Sequence, residues 1–180
     1  LSKNIIIQSI ATIYIEFYRG TSLIIQMFWI YYVLPLFGVP LPALLAGVLA
    51  LGMNFGAYGA EVFRAGILAV PKGQWEGALA LNFSKSKRMQ RIIIPQIYPI
   101  ILPPAANLAV ELLKGTALVS LITLVDLMFV AKQINMMTWL SAQSFGLALI
   151  IYFVMARFVL VPFLRWLELL AAKKVGKGKI

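Results

Sequence analysis

From Ala43 to Ala60 the chain runs 18 residues without a charge, and this stretch limits the possible folds more than any other. An α-helix rises 1.5 Å per residue, so about 20 apolar residues cross the ~30 Å hydrocarbon core of a bilayer with every backbone N–H and C=O satisfied within the segment. With its flanks, the stretch reads as a span over about 41–62. Gly47, Gly52, Gly56 and Gly59 punctuate it, and small residues let helices approach closely in lipid. Composition agrees: 62% of the 180 residues are hydrophobic and only 12% are charged, against about 25% charged in soluble domains. The chain has no Cys and no His. That excludes a disulfide framework and cysteine metal sites, and removes the commonest metal ligand and the commonest neutral-pH general base. No metal site and no catalytic residue are expected. Of the six carboxylates only Glu111 lies deep in a span, and no nucleophile stands beside a base. The opening residues lack the pattern of a signal peptide.

The rest of the chain falls into place around this span. Residues 4–19, NIIIQSIATIYIEFYR, set Asn4, Gln8, Thr12 and Glu16 at i+4 steps with Arg19 following, one drifting polar stripe on an apolar helix. Such a helix lies at an interface or packs with its stripe wet. Gly20 and Thr21 break it, and Ser22 to Phe37 is an uncharged run with Trp29, Tyr31 and Tyr32 near its far end, as at a membrane–water boundary. This predicts a span over about 20–38. Pro35, Gly38, Pro40 and Pro42 then leave room only for an antiparallel return. Glu61 and Arg64, at i, i+3, can pair on one helix face. A polar loop occupies 70–94. The next span, about 95–116, contains Pro99, Pro103 and Pro104 and is expected to be kinked or broken at membrane depth. Thr123 to Thr138 reads as a short amphipathic external helix capped by Asp126. A last span over about 142–167 leads to the basic tail AAKKVGKGKI.

The predicted fold is therefore all-α and polytopic: one membrane domain over 1–180, with four transmembrane helices, an amphipathic N-terminal helix and a helical cytoplasmic loop. Four spans cannot enclose a path alone, so dimerisation is expected, with the glycine-rich second span as a packing face. The net charge of +10 tests the layout. With a cytoplasmic N-terminus, the inner side holds Lys3, Arg19, Arg64, Lys72, Lys85, Lys87, Arg88, Arg91, Arg165 and four tail lysines, and the outer side only Lys132. Lys114 and Arg157 stay in or near spans. This is the positive-inside asymmetry of an inner-membrane protein with both ends cytoplasmic. It accounts for the basic balance by topology, without nucleic acid as a partner.

The loop carries the most specific pattern. In PKGQWEGALALNFSKSKRMQRIIIP, Gln74 to Leu81 reads as a short helix with Trp75 and Leu79 as apolar anchors at i, i+4 and Asn82 as its end. Lys85, Lys87, Arg88 and Arg91 can engage acidic rims of a partner, or simply lie near anionic lipid. Glu76-Gly77-Ala78, three residues, Asn82, nine residues and Ile92-Ile93-Ile94-Pro95 resemble the cytoplasmic-loop signature of permease subunits of ATP-binding-cassette importers. The spacing is kept. Gly77 stands for the usual Ala, Asn82 for Gly and Ile94 for Leu. Asn tolerates the left-handed conformation that ends a helix, whereas Gly77 costs about 1 kcal/mol against Ala inside one. YIEFYRGTSLIIQMFWIYYVLP (14–35), GAYGAEVFRAGILAVPKGQ (56–74) and NLAVELLKGTALVSLITLVDLM (107–128) are similar to the polar amino-acid uptake branch of these permeases. Members of that branch usually have one more N-terminal span, and this chain begins about where it would have ended.

The resemblance implies a second permease subunit, alike or different, a solute-binding protein outside, and two cytoplasmic ATPase subunits that carry ATP and magnesium, with no cofactor in this chain. It implies coupling to the ATPase through Gly73, Gln74, Trp75, Glu76, Gly77, Ala78, Leu79, Asn82, Arg88 and Pro95. For the substrate path the residues themselves offer Glu111 and Lys114, which can hold opposite ends of a zwitterion or satisfy one another, with Thr116 adding a hydrogen bond. Asn54 and Tyr58 at i, i+4 are further lining candidates. Glu61 is a lining candidate or a structural partner of Arg64. A permease for another small solute, and a passive channel or scaffold without an ATPase, stay open as rival functions.

Overall fold

A computed structural model describes residues 4–174, the last four by backbone alone. Lys3, Lys177 and Lys179 of the charge count lie outside the described residues, as do the side chains of Lys173 and Lys174. Asn4 caps helix α1 (Ile5–Gly20), its Oδ1 accepting from the Ile6 N–H at 3.0 Å. Thr21 is extended, and α2 (Leu23–Phe37) leaves at 104° to α1. α2 widens to a π-turn over Trp29–Val33, tightens to a 3-10 turn over Leu34–Phe37 and stops at Gly38, whose φ is 83°. Next come α3 (Ala43–Leu68), the short α4 (Lys72–Ala80) and α5, which runs 38 residues from Lys85 to Ile122. Asp126 caps α6 (Leu127–Thr138), accepting from the Phe129 N–H at 2.8 Å. α7 follows over Ser141–Leu170 and stays helical to Lys174. Every regular element among the described residues is helical.

Among the described residues three helices, α3, α5 and α7, are long and apolar enough to cross a membrane; counting the bent pair α1–α2 as one span makes four. Residues 20–38 are thus not a free-standing span. α2 reaches spanning length only together with α1, because Gly20 and Thr21 turn the chain before a full crossing is built. The third span differs in another way. α-Helix continues from Ile94 to Gly115 through Pro99, Pro103 and Pro104 rather than breaking there. Each proline withdraws a single i→i−4 donor, so only the carbonyls of Pro95, Pro99 and Ile100 lose theirs, and the intervening turns hold. The irregularities sit at its two ends: a π-turn over Met89–Ile93 and a 3-10 stretch over Thr116–Ile122, which stops at Thr123 with φ 65°. The second span runs on to Leu68, so Glu61 and Arg64 ride on its last turns.

α3 and α5 pack antiparallel and form the centre of the molecule. At one end Met27, Ala46, Ala50, Val119 and Ile122 bury against each other; at the other, Val70, Ile93, Ile97 and Ile101 do so, joined by half-buried Trp75. Of the four glycines read as a packing face, Gly47 and Gly56 are used inside the chain, against Val119 and Tyr14, while Gly52 and Gly59 face open space. The tightest approach is at Gly66, where a Cβ would stand 2.3 Å from Cγ2 of Ile101. That methyl sits on a β-branched carbon with a stiff χ1 and cannot swing aside. Gly66→Ala is therefore expected to cost about 1–3 kcal/mol as overpacking, read as a lowered unfolding temperature in detergent. Gly52→Ala, where a Cβ meets nothing within 4 Å, serves as the control and is expected not to lower it, since Ala is favoured over Gly in a helix.

Candidate functional site

α4 stands as a separate short lever beneath α5. Its end is a Schellman motif: the Phe83 N–H donates to the Ala78 carbonyl at 3.1 Å and the Asn82 N–H to the Leu79 carbonyl at 2.8 Å, with Asn82 at φ 53°. The helix-ending role read for Asn82 is thus met by its backbone. Ser84 then caps the start of α5, its Oγ accepting from the Lys87 N–H at 3.4 Å. Pro95 opens the regular α-helical part of α5, directly after its π-turn.

The two faces of α4 differ. Ala78 is buried, and Trp75 packs on the Ile93 cluster with the Arg88 guanidinium 5.7 Å from its ring centroid. Gln74 Oε1 accepts from Gln96 Nε2 at 3.0 Å. Trp75, Ala78, Arg88 and Gln74 therefore tie the lever to its own chain, and Trp75 is an internal anchor rather than one offered to a partner. Gly73, Glu76, Gly77 and Leu79 form the outer face, and a Cβ at Gly73 or Gly77 would meet nothing within 4 Å. Sequence spacing paired Trp75 with Leu79; tertiary packing covers Trp75 and leaves Leu79 exposed.

A second cluster joins α1 to α3. Arg64 grips Glu61 with two donors, Nε to Oε1 at 2.9 Å and Nη2 to Oε2 at 2.5 Å, and Arg19 reaches Glu61 Oε2 at 3.5 Å. The Arg19 guanidinium also lies 5.6 Å from the ring centroid of Tyr58. Glu61 and Tyr58 thus fasten α1 against α3. The polar stripe of α1 faces the same place: Gln8, Thr12, Glu16 and Arg19 line a half-open cleft of about 760 Å³ with Glu61 and Arg64.

Asn54 is spent in a buried knot at the α1–α2 bend. Its Nδ2 donates to the Tyr18 carbonyl and to Gln26 Oε1, each at 3.0 Å. Gln26 Nε2 donates in turn to the Tyr18 carbonyl at 3.0 Å and to Thr21 Oγ1 at 2.6 Å. The carbonyl left orphaned where α1 ends is satisfied by side chains of α2 and α3, which fixes the bend. Gln26 was not singled out from sequence; its partners are contributed by a break in the backbone that no spacing rule reveals. Asn54→Leu leaves the buried Gln26 Oε1 without its donor and is expected to destabilise the protein by about 1–3 kcal/mol, measurable by thermal unfolding.

Glu111 and Lys114 are both exposed on α5, and neither has an ion-pair partner among the described residues, each other included. Mutual neutralisation is thus not what holds them. Thr116 Oγ1 donates to the Leu113 carbonyl at 2.7 Å, where the helix tightens into its 3-10 end. Charged side chains at this depth face a bundle interior or water rather than lipid. Nearby, Tyr31 bonds Thr123 at 2.9 Å, Tyr32 donates to the Leu121 carbonyl at 3.1 Å and Lys132 donates to Ser120 at 3.2 Å. These anchor the end of α5 from α2 and α6. No cluster of His, Cys, Asp or Glu with metal-holding geometry occurs among the described residues.

Comparison with known proteins places this geometry. A family model described as "Binding-protein-dependent transport system inner membrane component" matches residues 1–172. A probable amino-acid ABC transporter permease of Sinorhizobium fredii is 45% identical over 93% of this chain and 73% of its own length. The L-cystine transport system permease of Bacillus subtilis is 36% identical over 84% of this chain and 62% of its own length. The chain thus spans less than two thirds of the second relative. Among solved structures, the crystal structure of an amino acid ABC transporter with histidines superposes with a TM-score of 0.86 at 40% identity, covering 93% of this chain and 78% of that one. The all-helical fold, the short lever between the second and third spans and the agreement along nearly the whole chain have one reading: this chain belongs to the family of inner-membrane components of binding-protein-dependent transport systems.

Proposed function

We propose that the chain is the transmembrane permease subunit of an ATP-driven, binding-protein-dependent importer for polar amino acids or related zwitterions. The observation that carries this reading is the lever, Lys72–Ala80, locked to α5 by Trp75 and Gln74 on one side and bare at Gly73, Glu76, Gly77 and Leu79 on the other. A helix fixed to a span on one face and open on the other transmits force from whatever docks there. We assign the docking partner as a cytoplasmic ATPase subunit that binds ATP and magnesium. ATP hydrolysis belongs to that subunit and not to this chain. A second permease subunit faces Glu111 and Lys114 and completes the path, a solute-binding protein delivers from outside, and the C-terminus lies in the cytoplasm. The amino-acid class is supported by relatives named for amino-acid and L-cystine transport.

Reconstitution of the assembly with its ATPase and binding protein in liposomes tests the reading, using a panel of radiolabelled amino acids. Uptake that requires both ATP and the binding protein is expected. Solute flux that persists without ATP would establish a passive channel instead, and ATP-driven uptake of a solute outside the panel would move the substrate class while keeping the permease.

A further inference from the structure

Arg157 has no role in the arrangement above. It stands in the middle of α7, inside the π-turn Met155–Leu160, and its side chain is exposed. No ion pair or hydrogen bond holds it among the described residues. Arginine at such a depth is not left to lipid, and π-turns inside membrane helices are frequent at functional sites.

Its level in the membrane follows from the packing of α7 on α5. Three places fix the register of the two helices. Thr116 lies beside Tyr152, Val110 and Val161 line one small groove, and Pro99 and Leu169 line a second. The residue number rises along α5 as it falls along α7, so the helices are antiparallel. Between the first two places, the same register sets Arg157 at the height of Leu112 and Leu113, between Glu111 and Lys114, which lie within about half a helical turn on either side. All three are exposed, and none has an ion-pair partner among the described residues.

We propose that Arg157 joins Glu111 and Lys114 in one charged level of the substrate path, complementary to a solute with one ammonium and two carboxylates, an acidic amino acid. The proposal rests on the permease reading given above. Two cations and one carboxylate share the level. An amino acid with a neutral side chain would leave one of the cations uncompensated where the dielectric is low, whereas an acidic one neutralises all three. The ammonium goes to Glu111 and the carboxylates to Lys114 and Arg157, the guanidinium offering a two-pronged contact.

L-Glutamate and L-glutamine are the same size and differ by one charge, so they are the probes. Equilibrium binding of each is measured on the purified assembly with its ATPase and without the binding protein. Wild type is expected to bind glutamate roughly 10- to 100-fold more tightly than glutamine, the worth of one charged contact. Arg157→Gln is expected to bring the ratio near one by weakening glutamate alone, and Arg157→Lys to keep most of the preference. Equal affinities in wild type overturn the proposal whatever the variants do, as does an unchanged ratio in Arg157→Gln. ATP-driven uptake of glutamine without a preference for glutamate removes only this charged level, while absence of any amino-acid uptake removes the substrate class proposed above as well.

Discussion

Glu76→Lys is expected to reduce ATP-dependent uptake and solute-stimulated ATP hydrolysis by at least about tenfold, while yield, membrane insertion and unfolding temperature stay as in wild type. Glu76 is exposed on the outer face of α4 and takes part in no ion pair among the described residues. Its charge therefore contributes little to the stability of the chain, and surface changes of this kind stay within about 0.5 kcal/mol. At a docked interface the same reversal places like charges together or leaves a partner charge unpaired, which costs several kcal/mol. Gly77→Ala gives the opposite expectation. A Cβ there meets nothing within 4 Å, and Ala is favoured over Gly in a helix by about 1 kcal/mol, so the lever stiffens and coupling is kept or improved. Normal uptake by Glu76→Lys would sink the lever as the coupling element.

Glu111→Gln is expected to raise the KM for uptake roughly tenfold, the value of a charged hydrogen bond, and to leave insertion and thermal stability unchanged. The separation of the two readouts follows from the geometry. Were Glu111 neutralised by Lys114, its loss would strand a lysine in the span and lower the unfolding temperature along with the affinity. The two are not ion-paired, and both project from the chain. Concentration-dependent uptake of several labelled amino acids is the measurement. Unchanged kinetics for all of them would remove Glu111 from the path, and a drop in stability alone would make it a structural residue.

Much of this was legible in the residues. The charge-free run from Ala43 to Ala60 required a membrane helix because lipid offers no partner to backbone groups. The distance from Glu76 to Pro95, with Asn82 able to take φ 53°, marked a helix, a turn and the start of the next span. Asp126 was readable as a cap because an N-cap uses only local backbone donors. These are short-range matters, settled within a few residues of the chain.

What needed the tertiary structure depends on which surfaces meet. Spacing made Trp75 and Leu79 equivalent, and only the Ile93 cluster took one and left the other in the open. Sequence left Glu111 and Lys114 poised between pairing and binding, and only the structure shows that they do not pair with each other. Asn54 and Gln26 became a buried knot because α1 ends in a bend whose orphaned carbonyl both can reach. Prolines that read as a kink or a break stayed within one continuous helix, since each removes only one donor. The sequence by itself determined that this chain is a membrane protein with a lever between its second and third spans, because hydropathy and turn chemistry are properties of neighbouring residues. Which face of the lever is bare, and which charges remain unpaired, was decided only by tertiary packing, because burial and pairing depend on residues far apart in the chain.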